Sequence, residues 1–292
     1  MKLACFDTNR IGLVIGDQIV DVTLEAGVDP AAWPPVGMVQ VIANFDRLRP
    51  AFEAALQSAP RRPLAEVTLR TPVQWPNKIA ALPSNFDAHI AEMGERLIST
   101  FKASGQGFFL KANSSLSGPA DAIVLPDVDD REVHHECEFA IVIGKGGRDI
   151  SREHAVDHVF GYACLVDMVI RGKEERVMRK AFDSFCPVGP WITTRDEAPA
   201  HDQITMSLSI NGEVRQRAHS KDLIVDVPNM VAMASSVMTL YPGDIIASGT
   251  PAGVGPVQDG DVLHIDVHGI GEMTLNVVQG RSGRHPLWNK PN

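Results

Sequence analysis

Four cysteines in 292 residues, none spaced as a CxxC pair, leave neither a disulfide framework nor a thiolate zinc site to find. Cys5, Cys137, Cys164 and Cys186 are expected as reduced, mostly buried thiols. No run of about 18 apolar residues occurs, which excludes a membrane-spanning helix. The opening MKLACFDTNR turns polar at Asp7 and cannot supply the apolar stretch of a signal peptide. These absences together predict a cytoplasmic protein that meets no membrane. Positive charge is also short, with 27 Lys+Arg against 36 Asp+Glu and a net charge of −9. A diffusely acidic surface repels phosphate backbones, so nucleic acid is not an expected partner. There is no repeat of fixed period and no low-complexity tract.

What the chain does have is length and punctuation. Its 292 residues correspond to about two domains, or one large one. Gly 24 and Pro 20 favour many short strands over long helices. Met1–Phe6, Ile11–Ile15 and Gln18–Val22 are strand-like runs split by turn signals. Residues 38–56 then carry apolar side chains at helical spacing, with an interruption expected at Pro50. The proline-bearing stretch 71–76 connects to a larger unit, which predicts a small N-terminal domain over 1–75 and a second domain over 76–292. From Lys78 onward compact apolar runs dominate, including Glu138–Ile143 and Ala163–Val166. Asn211-Gly212 between Thr205–Ile210 and Glu213–Arg217 is a strong hairpin signal. Val227–Leu240 is expected as a helix with Pro228 in its first turn. The fold class is α+β and β-rich.

Several segments could carry chemistry. If 136–143 is a strand, Glu136 and Glu138 share a face, and the apolar run after them leads into an interior. Two like carboxylates there are tolerable when a divalent cation bridges them. On the residues alone, a solvated strand face explains the pair equally well. Asp167 ends a second apolar run. Three carboxylates without a Cys or His cluster would favour a hard cation over zinc. His134 and His135 are left out of that set. If 85–92 is helical, His89 and Glu92 lie three apart and can hydrogen-bond, an arrangement that fixes one imidazole tautomer. A chance ion pair on an exposed helix is the plainer alternative. Lys111 sits on an apolar strand, unusual for a lysine. The Gly-rich turn 249–255 can offer N–H groups and the Thr250 hydroxyl to an anion, but lacks the lysine and following helix of a nucleotide-binding loop.

The order of these segments is more specific than any one of them. Asn85-Phe86-x-x-His89-x-x-Glu92, Phe109-Leu110-Lys111, Glu136-x-Glu138-x-Ala140, Phe160-Gly161-Tyr162, Asp167, Lys180-x-Phe182-Asp183 and Gly249-Thr250-Pro251-Ala252-Gly253 together resemble the fumarylacetoacetate hydrolase family, over roughly residues 78–280. The resemblance implies a mixed β-roll with peripheral helices, usually a homodimer, preceded by a small N-terminal domain. It also implies that Glu136, Glu138 and Asp167 ligate Mg²⁺ or Mn²⁺. His89 and Glu92 fall on the family's water-activating dyad, Lys180 on a lysine beside the metal, and Thr250 on a contact to the substrate carboxylate. Arg171 and Glu174 lie where the family often places Arg and Gln against substrate oxygens. Departures occur at Phe86, where a Tyr is common, at Pro83, at Glu174, and at Val177-Met178-Arg179.

The implied activity is a C–C bond hydrolysis of an acylpyruvate or diketo acid, a small anionic 2-keto acid substrate held at the metal. His89 would deprotonate the attacking water, and Lys111 or Arg171 would balance substrate charge. Two other functions stay open at this point. The same site could decarboxylate or tautomerise a 2-keto acid, or the protein could be a non-catalytic binder that keeps the metal for structure.

Overall fold

Cys137–Ile143 is buried on both of its faces, with Glu138 as its one charged residue, and the fold gives each face a core. Phe139, Ile141 and Ile143 pack with Tyr162, Leu208 and Ile265, while Ala140 and Val142 pack with Phe45, Phe160 and Leu165. A strand covered on both sides reads as a continuous hydrophobic run rather than an alternating one. The computed structural model describes residues 1–92, 102–128 and 131–281.

This strand lies inside a twelve-stranded mixed sheet. Across its middle the order is Lys2–Phe6, Cys186–Thr194, Val159–Val166, Cys137–Ile143, Ile245–Ala247, Ile79–Ala81 and Phe109–Lys111. The N-terminal β region therefore extends the large sheet directly, with Lys2 opposite Thr193 and Leu3 opposite Ile192. Ile245–Ala247 runs parallel to Ile79–Ala81, so the segments that follow both strands leave at the same end. A five-stranded sheet, built on the hairpin Thr205–Ile210/Glu213–His219, covers one face. Helices Gly37–Ala43 and Phe45–Ser58 contribute Met38, Val41, Leu48 and Phe52 to the core on the other.

The helical stretch expected to break at Pro50 breaks at Asn44 instead, and Phe45–Ser58 runs through the proline. Asn44 donates from its side chain to the Gln40 carbonyl across 2.8 Å. Such local bonding makes Asn a poor helix former and a good terminator. Val227–Val237 is helical, with Asp226 accepting from the Asn229 N–H as its cap. It stops three residues short of Leu240, which bridges Gly147 instead. All four cysteines are buried and free. Among the described residues no helix is long and apolar enough to cross a membrane.

Candidate active site

Strand register builds the acidic centre. Cys137 opposes Val166 and Glu138 opposes Leu165 in an antiparallel pair. One step further along, the Asp167 N–H donates to the Glu136 carbonyl across 2.9 Å, setting Glu136 beside Asp167. Alternation then puts Glu136, Glu138 and Asp167 on one face of the sheet, the face of Ala140 and Val142. One carboxylate oxygen from each lies within 4.8 Å of the others. All three residues are buried.

Two lysines make this burial tolerable. Lys180 donates from Nζ to Glu136 Oε2 across 2.6 Å and to Asp167 Oδ2 across 2.5 Å. Lys111 donates to Asp167 Oδ1 across 2.5 Å and to the carbonyls of Lys180 and Phe185. Its side chain is 0 % exposed, which places Lys111 behind Asp167. Burial pushes the Glu138 carboxyl well up, and the neighbouring Asp167 charge adds to the push. Burial acts on Glu136 in the same direction, but the Lys180 charge and hydrogen bond outweigh it and hold that carboxyl low. Lys180 is raised because Asp167, Glu136 and Glu138 outweigh the cost of burying an ammonium.

His89 is buried on the helix Asp87–Glu92, close enough for its charge to act on Glu136. Its Nδ1 lies 3.2 Å from Glu92 Oε2, the hydrogen bond expected from the i, i+3 spacing. A carboxylate only accepts, so Nδ1 carries the hydrogen of this bond, and Nε2 is the ring nitrogen left for other partners. Both Glu92 oxygens also accept from the Gly253 N–H, at 3.0 and 3.1 Å. Gly253 has φ +97°, and a Cβ there would meet the Arg215 carbonyl oxygen at 2.0 Å. Only glycine can deliver this N–H. Upstream of the helix, the buried Asn85 side chain donates to the carbonyls of Val225 and Ser248 and accepts from the Val225 N–H.

The remaining expected residues are placed as follows. Thr250 is buried, next to Gly249, whose N–H donates to Glu138 Oε2 across 2.8 Å. Arg171 donates from Nε to His134 Nδ1, and His134 Nε2 meets Glu132. Glu174 is gripped at both oxygens by the Arg131 guanidinium, at 2.9 and 2.7 Å, and that bond holds its carboxyl at about 2. Its negative charge is thus already paired. Phe86 belongs to the same apolar core as Leu82 and bridges Leu223.

One highly connected polar side chain near the site is marked by nothing in the sequence. Gln216, on the strand Glu213–His219 of the other sheet, is 1 % exposed. Its Nε2 donates to Thr250 Oγ1 and the Pro251 carbonyl, while Oε1 accepts from the Cys137 N–H and meets His135 Nδ1. It joins the Thr250 turn to the segment carrying Glu136 and Glu138. Arg131 was missed for a similar reason, because its partner lies 43 residues away.

A site made of three buried carboxylates and no thiolate fits a hard divalent cation. Lys111 and Lys180 offset two of the three negative charges, so a divalent cation would find one negative charge left uncompensated at the site.

Residues 78–278 match the family model for the fumarylacetoacetate (FAA) hydrolase C-terminal region. The chain is 44% identical over 285 residues to a maleylpyruvate hydrolase of Aquipseudomonas alcaligenes, covering 95% of this chain and 99% of that protein. It is 32% identical over 277 residues to a mitochondrial oxaloacetate tautomerase of Rattus norvegicus, covering 90% and 85% of the two chains. A crystal structure of a Sphingobium maleylpyruvate hydrolase in complex with manganese(II) and pyruvate superposes with a TM-score of 0.88 at 54% identity, covering 96% of this chain and all of that one.

Proposed function

Because the chain belongs to the fumarylacetoacetate hydrolase family, we infer that it is a divalent-metal-dependent hydrolase that cleaves a C–C bond of an acylpyruvate to release pyruvate, with maleylpyruvate as its substrate. The observation that carries this reading is the His89–Glu92 pair, tied to Gly253 and set within electrostatic reach of Glu136. A purely structural ion has no use for an oriented imidazole.

Glu136, Glu138 and Asp167 would hold Mg²⁺ or Mn²⁺. When bound, such a cation acts as a Lewis acid on the pyruvyl oxygens and stabilises the negative charge that develops there. His89 Nε2 takes a proton from water as the water oxygen attacks the acyl carbonyl carbon. The bond from that carbon to the pyruvyl CH₂ breaks, and its electron pair leaves with the pyruvyl group as an enolate. The proton held by His89 then passes to the enolate carbon, giving pyruvate, while the acyl part leaves as a carboxylic acid carrying the water oxygen and loses the second water proton to solvent to become the carboxylate. Lys180 holds Glu136 and Asp167 in place, and Lys111 fixes Asp167 from behind. Thr250, held by Gln216, is assigned to the pyruvyl carboxylate together with Arg171.

The same proposal includes a homodimer in the cytoplasm and a small unit over 1–75 ahead of a catalytic part over 76–292. Protein loaded with Mn²⁺ or Mg²⁺ should release pyruvate from maleylpyruvate, and in H₂¹⁸O the maleate should carry label. Keto–enol conversion of oxaloacetate with no hydrolysis of maleylpyruvate would instead place the protein with the tautomerases.

A further inference from the structure

Three arginines lie within nine residues of the chain beside the acidic centre: Arg171, Arg176 and Arg179. Several arginines elsewhere meet carboxylates, as in Arg62–Asp7, Arg131–Glu174 and Arg152–Asp226, although Arg47, Arg61 and Arg217 do not. Among the described residues none of Arg171, Arg176 and Arg179 forms an ion pair with a carboxylate. Arg171 donates to His134 Nδ1, Arg179 to the Glu174 and Ile170 carbonyls, and Arg176 to Gln106 Oε1 across 2.8 Å. Arg176 and Arg179 are half-buried, and burial together with mutual repulsion lowers the affinity of Arg179 for its proton. Three guanidinium groups this close together, hydrogen-bonded only to neutral acceptors, are what an anion site looks like before its ligand arrives.

Position ties the cluster to the reaction. The Arg176 guanidinium lies over the Phe109 ring at 5.4 Å from its centroid, and Lys180 Nζ lies over the same ring at 5.5 Å. The ring therefore links the acidic centre to Arg176. The three carboxylates and two lysines carry a net charge of −1 when all are ionised, and a divalent cation turns this to +1. That charge matches a single carboxylate, the pyruvyl one. A second carboxylate at the far end of the substrate needs its own cation.

We propose that Arg176, with Arg179 beside it, forms a second anion subsite that binds a carboxylate at the acyl end of the substrate, so that the enzyme selects dicarboxylic acylpyruvates over those with an uncharged acyl group. This rests on the hydrolase reading above. Arg176 is a specificity residue and takes no part in bond cleavage.

The test compares kcat/KM for maleylpyruvate and acetylpyruvate in the Mn²⁺-loaded wild type, Arg176→Gln and Arg176→Lys. Arg176→Gln should lower the maleylpyruvate-to-acetylpyruvate ratio by about 10–100-fold, the size of a lost charge-assisted contact, and Arg176→Lys should recover part of it. An unchanged ratio overturns the proposal. Calorimetric titration of the same Mn²⁺-loaded proteins with maleate gives a readout that does not need turnover. Maleate binding weakened by Arg176→Gln supports the subsite, and equal binding overturns it. A wild type that binds maleate through Arg176 yet hydrolyses neither compound would overturn the hydrolase reading while supporting the subsite.

Discussion

Gln216 donates to Thr250 Oγ1 across 2.8 Å while its other amide atom accepts the Cys137 N–H, so one side chain spans the turn and the strand that frame the site. Gln216→Leu would orphan several buried polar groups, each costing about 1–3 kcal/mol. The variant should unfold at a lower temperature. It should also raise KM more than it lowers kcat, because Thr250 is assigned to substrate and not to proton transfer. A variant with wild-type KM and reduced stability would make Gln216 structural only.

His89→Ala removes the proposed base but none of the three carboxylates. Turnover should fall by about 10²–10⁴-fold, the usual contribution of general-base catalysis, with bound manganese unchanged. Glu92→Gln keeps a hydrogen-bond partner for the ring and for Gly253 in part, so its loss should be smaller. Metal analysis of His89→Ala decides the matter, since a variant that loses its metal cannot have lost a base alone.

Chelation should abolish activity and leave the fold intact. Lys111 and Lys180 already pair with Asp167 and Glu136, and burial favours the protonated form of Glu138. Far-UV circular dichroism of chelated protein should match that of the loaded form, with a lower melting temperature because the bound ion stabilises only the native state. Adding Mn²⁺ or Mg²⁺ should restore activity. Unfolding on chelation would contradict this account.

His135 makes the native state sensitive to mild acid. Burial holds its ring neutral down to about 4, whereas an unfolded histidine takes up its proton near 6.5. Below about pH 6.5 the unfolded chain binds a proton that the native state refuses. Stability therefore falls as pH drops from about 6.5 towards 4, by up to about 3 kcal/mol from this residue. Above that window the residue contributes no pH dependence. His135→Asn can still donate to Gln216 Oε1 and does not titrate, so urea unfolding across this range should show a shallower slope than the wild type. Equal slopes would remove His135 as the cause.

Much of the site could be read in the sequence because its elements are local. The i, i+3 spacing of His89 and Glu92 needs only one turn of helix, and the alternation of Glu136 and Glu138 needs only one strand. Lys111 was conspicuous as a charge on an apolar strand, although the partner that explains it, Asp167, lies 56 residues away. Nothing local marks Gln216, because a lone polar side chain between Val214 and Ala218 on a charged strand carries no signal and its four contacts come from distant segments. Glu174, where the family often has Gln, is neutralised by Arg131, a partner 43 residues away that no local pattern marks.

The sequence by itself determined the kinds of groups available and their local periodicity: three carboxylates, two lysines near apolar runs, a His–Glu pair, and strands buried on both faces. Tertiary structure decided which charges meet. Register across Cys137–Ile143 and Val159–Val166 set Asp167 against Glu136, and packing enclosed Lys111 behind it. Among the described residues it also left Arg176 and Arg179 without a carboxylate ion pair, with neutral oxygens as their acceptors. Electrostatic energy depends on distance and burial, and neither can be read from separation along the chain.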